Sequence, residues 1–403
     1  MQVVEYLRKF ETAEAGLAAL KEEFGISART YPEDDIVLLD YSQIDSPKMH
    51  PIVIECRSLI LQMSSLRVVS RAFDRFFNAG ECPDYYADFD AKRARVYEKA
   101  DGSLVKVYWH PTKGGWHIST RGTAYAEGNH PMGGTFLDHI LAAFTHPKDM
   151  EDGPYTMDVF KEFFEKFIKF GVGGTQFTYV FEFTSPTNRV VTRYDAPGMV
   201  LLDVVHNHTG KSLIAQSPEL FGEFIDDFES WWLNVRAPKV YDSGEIEDLI
   251  KRANQLENLA EGFVLYDPCS GKRMKIKSAA YVAAHRLRGE DMIPSRKRVL
   301  ECILTGEQDE IIAVFPEFKP YFDEYGKEVI ELKETVVSTW ERVSGIPDQK
   351  EFAITLNSLP ITQGAKGLVF NARSTTGCPL KSFDALPLTQ KLKIFTKRNE
   401  YAS

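Results

Sequence analysis

No uninterrupted apolar run in this 403-residue chain approaches the roughly 18 residues that a membrane-spanning helix needs. The amino terminus, MQVVEYLRKFE, carries charges where a secretory signal would be apolar. Cysteine is scarce, and Cys56, Cys82, Cys269, Cys302 and Cys378 include no close pair of the zinc-knuckle or redox kind, so reduced structural thiols are expected. The nine histidines show no zinc-ligand spacing. The segment VVHNHTGK (Val204 to Lys211) mimics a His-Asn-His nuclease core, but a strand running into an Asn/Thr/Gly turn accounts for it and no metal-binding partners stand nearby. Positive charge is not in excess either: a net charge of −10 argues against a general nucleic-acid coat, because phosphate affinity comes from local positive potential. Internal repeats and low-complexity segments are also missing. The expectation is a soluble, cytoplasmic protein with no membrane partner.

What is present is ordinary globular composition, 43% hydrophobic and 26% charged, in a chain long enough for two or three domains. Charge is unevenly spread. Lys272 to Arg298 holds nine Lys or Arg against Glu290 and Asp291, a local +7 that leaves −17 for the remainder.

The spacing predicts a helix over VVEYLRKFETAEAGLAALKEEFG, closed by Gly25, then strands in DIVLLDY, PIVIECRSLILQ and RVVSRAFDRFF. Strands resume from Arg95 to Thr120 with a hairpin turn at KGGW. An amphipathic helix over TMDVFKEFFEKFIKFG packs its phenylalanines inward. TQFTYVFEFTS, RVVTRYD, MVLLDVVHN and KSLIAQ read as strands, SPELFGEFIDDFESW and EIEDLIKRANQL as helices, EGFVLYD and RMKIKS as strands. After Ser278 the patterns are helical, with Pro and Gly breaks. A boundary is therefore expected near Gly289 to Pro294, between an α+β body (1–290) and a smaller all-helical domain (291–403).

Within RVYEKADGSLVKVYW, Lys99 falls where a strand ends in Ala-Asp-Gly. A lysine attacks phosphorus only as the neutral amine, so its pKa has to fall from about 10.4. Asp101 is a candidate to orient or deprotonate that amine, and Gly102 lets a ligand approach the backbone. Alone, the motif reads more simply as an exposed strand-end lysine before a turn. Further along, Glu182 sits in an apolar-flanked strand (YVFEF), Glu261 opens another (EGFVLY), and MKIKS puts Lys275 and Lys277 on one strand face. Two such lysines repel unless an anion lies near them; a solvated edge strand is the bland alternative.

Together, Lys99-x-Asp101-Gly102, Glu182, Glu261 and Lys275-x-Lys277 resemble the nucleotidyltransferase motifs shared by ATP-dependent ligases and RNA capping enzymes. EKADGSL, FEFTSPTNRVV, EGFVLY and MKIKSAAYV look most like the phage-type ATP-dependent single-strand RNA ligase 1 family, with ligase-type similarity from Ile54 to about Arg286. The resemblance implies a nucleotidyltransferase (ATP-grasp-like ligase) core of antiparallel sheets with flanking helices. It implies that Lys99 attacks the α-phosphate of ATP to give lysyl-AMP and pyrophosphate. AMP then passes to a 5′-phosphate, and a 3′-hydroxyl displaces it to seal single-stranded RNA, an RNA-repair reaction. By the same resemblance Asp101 is the motif's acid, Lys275 and Lys277 hold the α-phosphate, and Glu182 and Glu261 lie at the nucleotide and a magnesium ion, with manganese an alternative. Glu98, Arg57, Arg75 and Arg121 join as nucleotide contacts; Ser58 stands where the family usually has glycine, Arg75 where it has lysine. Tyr281 matches a family tyrosine.

Hard magnesium prefers carboxylate and water ligands, and the phosphate-binding lysines are expected to depress the Lys99 pKa by like-charge repulsion. The rivals are a DNA ligase or capping guanylyltransferase on the same core, or a non-catalytic nucleotide-binding protein. The first two usually carry a β-rich domain after KIK, whereas this chain continues as helices. In the resembled family the helical region helps choose the RNA. A broken tRNA loop, single-stranded DNA, a monomeric state and, for a phage-encoded protein, the host cytoplasm remain expectations of the resemblance.

Overall fold

The computed structural model describes residues 1–130, 132–145, 153–170, 174–188, 191–216, 222–223, 225–226, 228, 233–257, 259–288, 294–306 and 308–396. The chain divides into two units, Met1–Val282 and Ala283–Ser403. The expected boundary stretch, Gly289 to Pro294, lies outside the described residues except for Pro294, and most of the helix expected over SPELFGEFIDDFESW lies outside them too. Among the described residues no helix is long and apolar enough to cross a membrane.

In the first unit, β1 (Ile26–Tyr31), β2 (Ile36–Tyr41), β3 (Leu59–Gln62) and β4 (Val68–Ser70) form an antiparallel sheet in that order. The apolar run IVLL is continuous because both faces are covered. Val37 and Leu39 pack with the helices Gln2–Leu7, Ala13–Phe24 and Pro51–Glu55, while Ile36 and Leu38 pack with Tyr108 and Ala124 on the other side. The single amino-terminal helix expected from spacing is two helices. Thr12 accepts the Ala15 N–H at 3.2 Å as an N-cap, which restarts the chain, and Gly25 closes it at φ +63°.

The chain continues through β5 (Phe77–Asn78), β6 (Arg95–Glu98), β7 (Ser103–Trp109), β8 (Trp116–Thr120), β9 (Phe177–Thr184) and β10 (Gly198–His206). It then forms β11 (Val235–Arg236), β12 (Val240–Tyr241), β13 (Gly262–Tyr266) and β14 (Arg273–Lys277). One sheet has the order β11-β10-β9-β7-β8, the other β12-β6-β13-β14-β5. Pairing is antiparallel except for β10 with β11 and β14 with β5. Phe144, Phe160, Phe164, Phe181 and Phe183 bury a core between the first of these sheets and the helices Phe136–Phe144 and Met157–Phe170. Each such ring adds roughly 1.5–3 kcal/mol of apolar burial.

Four expected strands are corrected. PIVIECRSLILQ is a helix at Pro51–Glu55 and a strand only at Leu59–Gln62, proline standing at the first helical position. RVVSRAFDRFF keeps strand structure only at Val68–Ser70 and Phe77–Asn78, and KSLIAQ contributes a helical turn, Leu213–Gln216. In RVVTRYD, Arg189 and Val190 lie outside the described residues and the rest is irregular, because its amides are drawn to Asp101 as described below. The described residues of the second unit contain helices and no strand: Arg296–Thr305, Gln308–Val314, Lys319–Val343, Gln349–Ser358, Gln363–Asn371, Pro379–Asp384 and Leu388–Thr396. Leu300, Val336, Phe352, Leu368 and Phe383 share their core.

The two strands that flank Lys99 do not pair with each other. β6 lies between β12 and β13, and β7 between β9 and β8, so residues 99–102 cross from one sheet to the other. Glycine is required on both sides of that seam. A Cβ on Gly102 would lie 2.1 Å from the Phe183 carbonyl oxygen in β9, and one on Gly262, at φ +131°, would lie 2.0 Å from the Ile276 carbonyl oxygen in β14. Gly262→Ala is accordingly expected to destabilise the protein by about 3 kcal/mol or more, read as a fall in the urea midpoint.

Candidate active site

The seam places Lys99 against the start of β13. Its N–H donates to the Gly262 carbonyl at 2.9 Å, and the residue before Gly262 is Glu261. Gly262 is directly opposite Lys277 in the β13–β14 register. Consequently Glu261 is held between two amines: Lys99 Nζ donates to Oε2 at 2.6 Å and Lys277 Nζ approaches Oε1 at 2.7 Å. The Glu261 side chain is 4% exposed and that of Lys99 20%, so Lys99 is no solvated turn residue.

Burial by itself would lower the Lys99 pKa, but the attraction of Glu261, Glu182 and Asp101 outweighs it and the net shift is upward. The expectation that neighbouring lysines depress this amine is therefore corrected, since the charges that act on it most strongly are carboxylates. Burial raises Glu261, yet Lys99 and Lys277 bring it below its ordinary value. Burial and the Glu261 charge push Glu182 up to about 7 against the pull of Lys99 and Arg57. The repulsion expected between cations instead acts on Lys275, which burial together with Arg57, Lys99 and Lys277 lowers to about 7. Its amine lies 4.9 Å from the Phe76 ring centroid.

Asp101 does not orient the Lys99 amine. Its Oδ2 accepts the Val191 and Thr192 N–H groups, each at 2.7 Å, and its Oδ1 accepts the Tyr281 hydroxyl at 2.7 Å. The Asp101 N–H donates to the Tyr194 hydroxyl at 3.0 Å. The carboxylate thus ties the segment 191–194 and Tyr281 beneath the seam, and reaches Lys99 only through its charge. Gly102 likewise serves the close approach to β9 rather than an approaching ligand.

Lys99, Glu182 and Arg57 line one cavity whose other walls are largely Phe73, Phe76, Tyr97, Leu202, Val264 and Tyr266. Aromatic walls with a few convergent charges suit a nucleoside with its phosphates. Arg57 lies 5.8 Å from the Phe73 ring and 5.2 Å from the Phe76 ring, and its Nη1 is buried without a hydrogen-bond partner among the described residues. Arg75 stacks 4.1 Å over Tyr41, also with a buried Nη1 that has no partner among the described residues. Arg121 approaches the same ring at 4.9 Å and pairs with Asp40 at 3.0 Å. Glu98 is occupied: Arg236 donates to both its oxygens at 2.8 and 2.9 Å, and the Lys239 N–H at 3.0 Å. Its carboxylate is committed to that clamp rather than to a ligand.

Sequence reasoning passed over Arg273 as a site residue. It shares the strand face of Lys275 and Lys277, lies 4.2 Å from the Phe73 ring and 4.8 Å from the Tyr266 ring, lines the cavity, and pairs with buried Asp203. The same two-residue period that singled out the lysines includes it. Tyr194 had no local signal. Within the basic stretch, Lys272 pairs with Asp88 at 2.5 Å and Arg296 with Glu328 at 2.5 Å, so much of its charge is answered locally. The side chains of Arg286 and Arg288 lie outside the described residues.

Among the described residues no group of three or more His, Cys, Asp or Glu is placed to hold a metal ion. Glu182 and Glu261, close enough to perturb each other, are a pair of hard oxygen donors. That set fits magnesium, which keeps several waters and binds through one or two carboxylates plus substrate phosphates.

A family model described as RNA ligase matches residues 55–281. The chain is 26% identical over 334 residues to an RNA ligase of Rhodothermus phage RM378, covering 71% of each chain. It is 30% identical over 401 residues to a protein of Autographa californica nuclear polyhedrosis virus that carries the provisional description of a bifunctional polynucleotide kinase/RNA ligase. That match covers 96% of this chain and 52% of the viral protein, so the chain spans about half of that relative's length. A solved Naegleria gruberi RNA ligase with PPi is similar at 16% identity and a TM-score of 0.35, over 53% of this chain and 57% of that one.

The Asp101 tie is testable by itself. Tyr281→Phe leaves Asp101 Oδ1 without that hydroxyl and is expected to lower stability by about 1–3 kcal/mol in denaturant unfolding.

Proposed function

The chain belongs to the phage-type RNA ligase 1 family, and from that premise we propose that it seals single-stranded RNA in three nucleotidyl-transfer steps, with Lys99 as the nucleophile. The observation that carries the reading is a lysine held on the wall of an aromatic cavity by a carboxylate that also holds a second lysine. The proposed substrates are ATP and RNA with 5′-phosphate and 3′-hydroxyl ends. A broken tRNA and single-stranded DNA are further candidates, and the protein acts as a monomer. RNA repair is the corresponding role. The helical character of the described residues after Ser278 supports this reading over a DNA ligase or capping enzyme.

In the first step the Lys99 amine attacks the α-phosphorus of ATP; a P–N bond forms as the bond to pyrophosphate breaks. The Lys99–Glu261 pair has to open beforehand and the ammonium has to release its proton, since only the free amine has a lone pair. Arg57, Lys275 and Lys277 are the cations available to the phosphate oxygens. An arriving phosphate favours the charged form of Lys275 and so returns its proton. Glu182 and Glu261 are the residues that would hold a divalent metal, which supplies charge neutralisation on non-bridging oxygens when bound. AMP then moves from Lys99 to the RNA 5′-phosphate, and the 3′-hydroxyl displaces AMP as the phosphodiester forms. In this assignment Asp101 is a positioning group, and Arg75 and Arg121 are cations that reach the nucleotide from the Tyr41 side.

With α-labelled ATP and 5′-phosphorylated RNA or DNA oligomers, the wild type is expected to give a protein–AMP adduct, an adenylylated strand and a sealed product. Lys99→Ala is expected to give no adduct; an adduct that survives on another residue refutes the assignment. The pH dependence has a defined sign. Because carboxylates hold Lys99 above its ordinary pKa, single-turnover adduct formation is expected to rise about tenfold per pH unit towards alkaline pH while the amine is protonated. Glu261→Gln removes the strongest of those attractions, so its profile is expected to shift to lower pH even as its maximal rate falls. A profile that does not move would show that Glu261 does not set the amine's charge.

A further inference from the structure

Lys106 is a buried amine that the proposed chemistry does not use. It lies in β7, fully buried, between Val180 of β9 and Ser119 of β8 in the ladder. Its Nζ donates to the main-chain carbonyl of Ser58. The charged groups that act on it are Asp40, which favours its charged form, and Arg57, which opposes it; burial, the largest influence, lowers the amine to about 7. Burying an ammonium against one carbonyl is costly where an apolar side chain of the same length would fill the space, so the contact has to achieve something that packing alone does not.

Its target is a strained turn. Ser58 is buried and left-handed at φ +55°, a conformation in which residues other than glycine are uncommon. The turn is tied at each polar group. The Ser58 N–H donates to Asp40 Oδ1 at 3.2 Å, its hydroxyl to the Thr120 carbonyl at 3.2 Å, and its carbonyl accepts Lys106. The preceding residue is Arg57, which enters the cavity with one buried nitrogen unpartnered among the described residues. A guanidinium on a flexible stem loses affinity for phosphate if its backbone wanders, because two parallel donors have to meet their acceptors together.

We propose that Lys106 is a positioning residue for nucleotide binding: through the Ser58 carbonyl it holds the left-handed turn that sets the Arg57 guanidinium in the cavity wall. The proposal rests on reading that cavity as the ATP site. It explains how serine serves at a position where backbone geometry favours glycine.

The test is ATP binding, measured by calorimetry with magnesium in the Lys99→Ala background, so that no covalent step intervenes. Lys106→Met is expected to weaken binding at least about tenfold and Arg57→Ala by a similar factor, with the double variant no weaker than Arg57→Ala alone, because both act through one guanidinium. Unchanged binding in Lys106→Met, or full additivity, overturns the proposal. If Lys106→Met does not fold, the turn is tested with the amine in place. Ser58→Val, which resists the left-handed region, is expected to weaken binding at least about fivefold, while Ser58→Gly preserves it. Equal binding by those two variants overturns the proposal. The adduct assay on the Lys99-containing protein is separate: ATP binding without an adduct refutes the ligase reading while Lys106 is still judged by binding, and a protein that binds no ATP refutes both.

Discussion

One buried carboxylate shared between two ammonium groups governs this site. Glu261 accepts from Lys99 at 2.6 Å and meets Lys277 at 2.7 Å while its side chain is 4% exposed. In such a setting each charge depends on the others, because removing one partner leaves an uncompensated buried ion. The arrangement keeps the amine that matters protonated and unreactive. In the proposed reaction, release comes from a nucleotide that competes for both halves of the pair. The geometry is thus that of a clamp whose carboxylates shift Lys99 upward, the opposite sign to the one that like-charge repulsion gives.

The clamp sits at one end of a single sheet, where the end of β6, the start of β13 and the end of β14 lie side by side, just before the chain crosses to the other sheet. Residues 99–102 pass from β6 to β7, whose partners are different. Gly102 lets the crossing lie against β9, and Gly262 lets the start of β13 lie against β14, each more closely than a side chain allows. Asp101 then locks the crossing from below, with two amides from the segment after Asn188 and the hydroxyl of Tyr281. The proposed nucleophile and the ties that hold the fold meet in a span of four residues, so substitutions there affect both.

An acidic protein carries its cations where they face rings. Arg57, Lys275 and Arg273 lie beside Phe73, Phe76 and Tyr266. A ring face attracts a cation while leaving its hydrogen-bond donors unspent, and Arg57 retains a buried donor with no partner among the described residues. Net charge is a poor guide to such a site, because a cavity responds to the few charges in its walls rather than to those on the outer surface.

Period and local chemistry determined much of this protein. Two-residue alternation placed Lys275 and Lys277 on one face of β14, and short apolar runs foretold the strands around Ile36–Tyr41, Phe177–Thr184 and Gly262–Tyr266. The Asn/Thr/Gly turn after His206 and the helices after Ser278 were equally legible, since turn residues and helical spacing act within a few positions. The tertiary structure alone decided that the strands around Lys99 are not a hairpin, that Asp101 serves Tyr281 and residues 191–192, and that Glu98 is claimed by Arg236. It also decided the charge on Lys99. That charge depends on a carboxylate 162 residues away in the chain, and Coulomb energy follows distance in space rather than position in sequence.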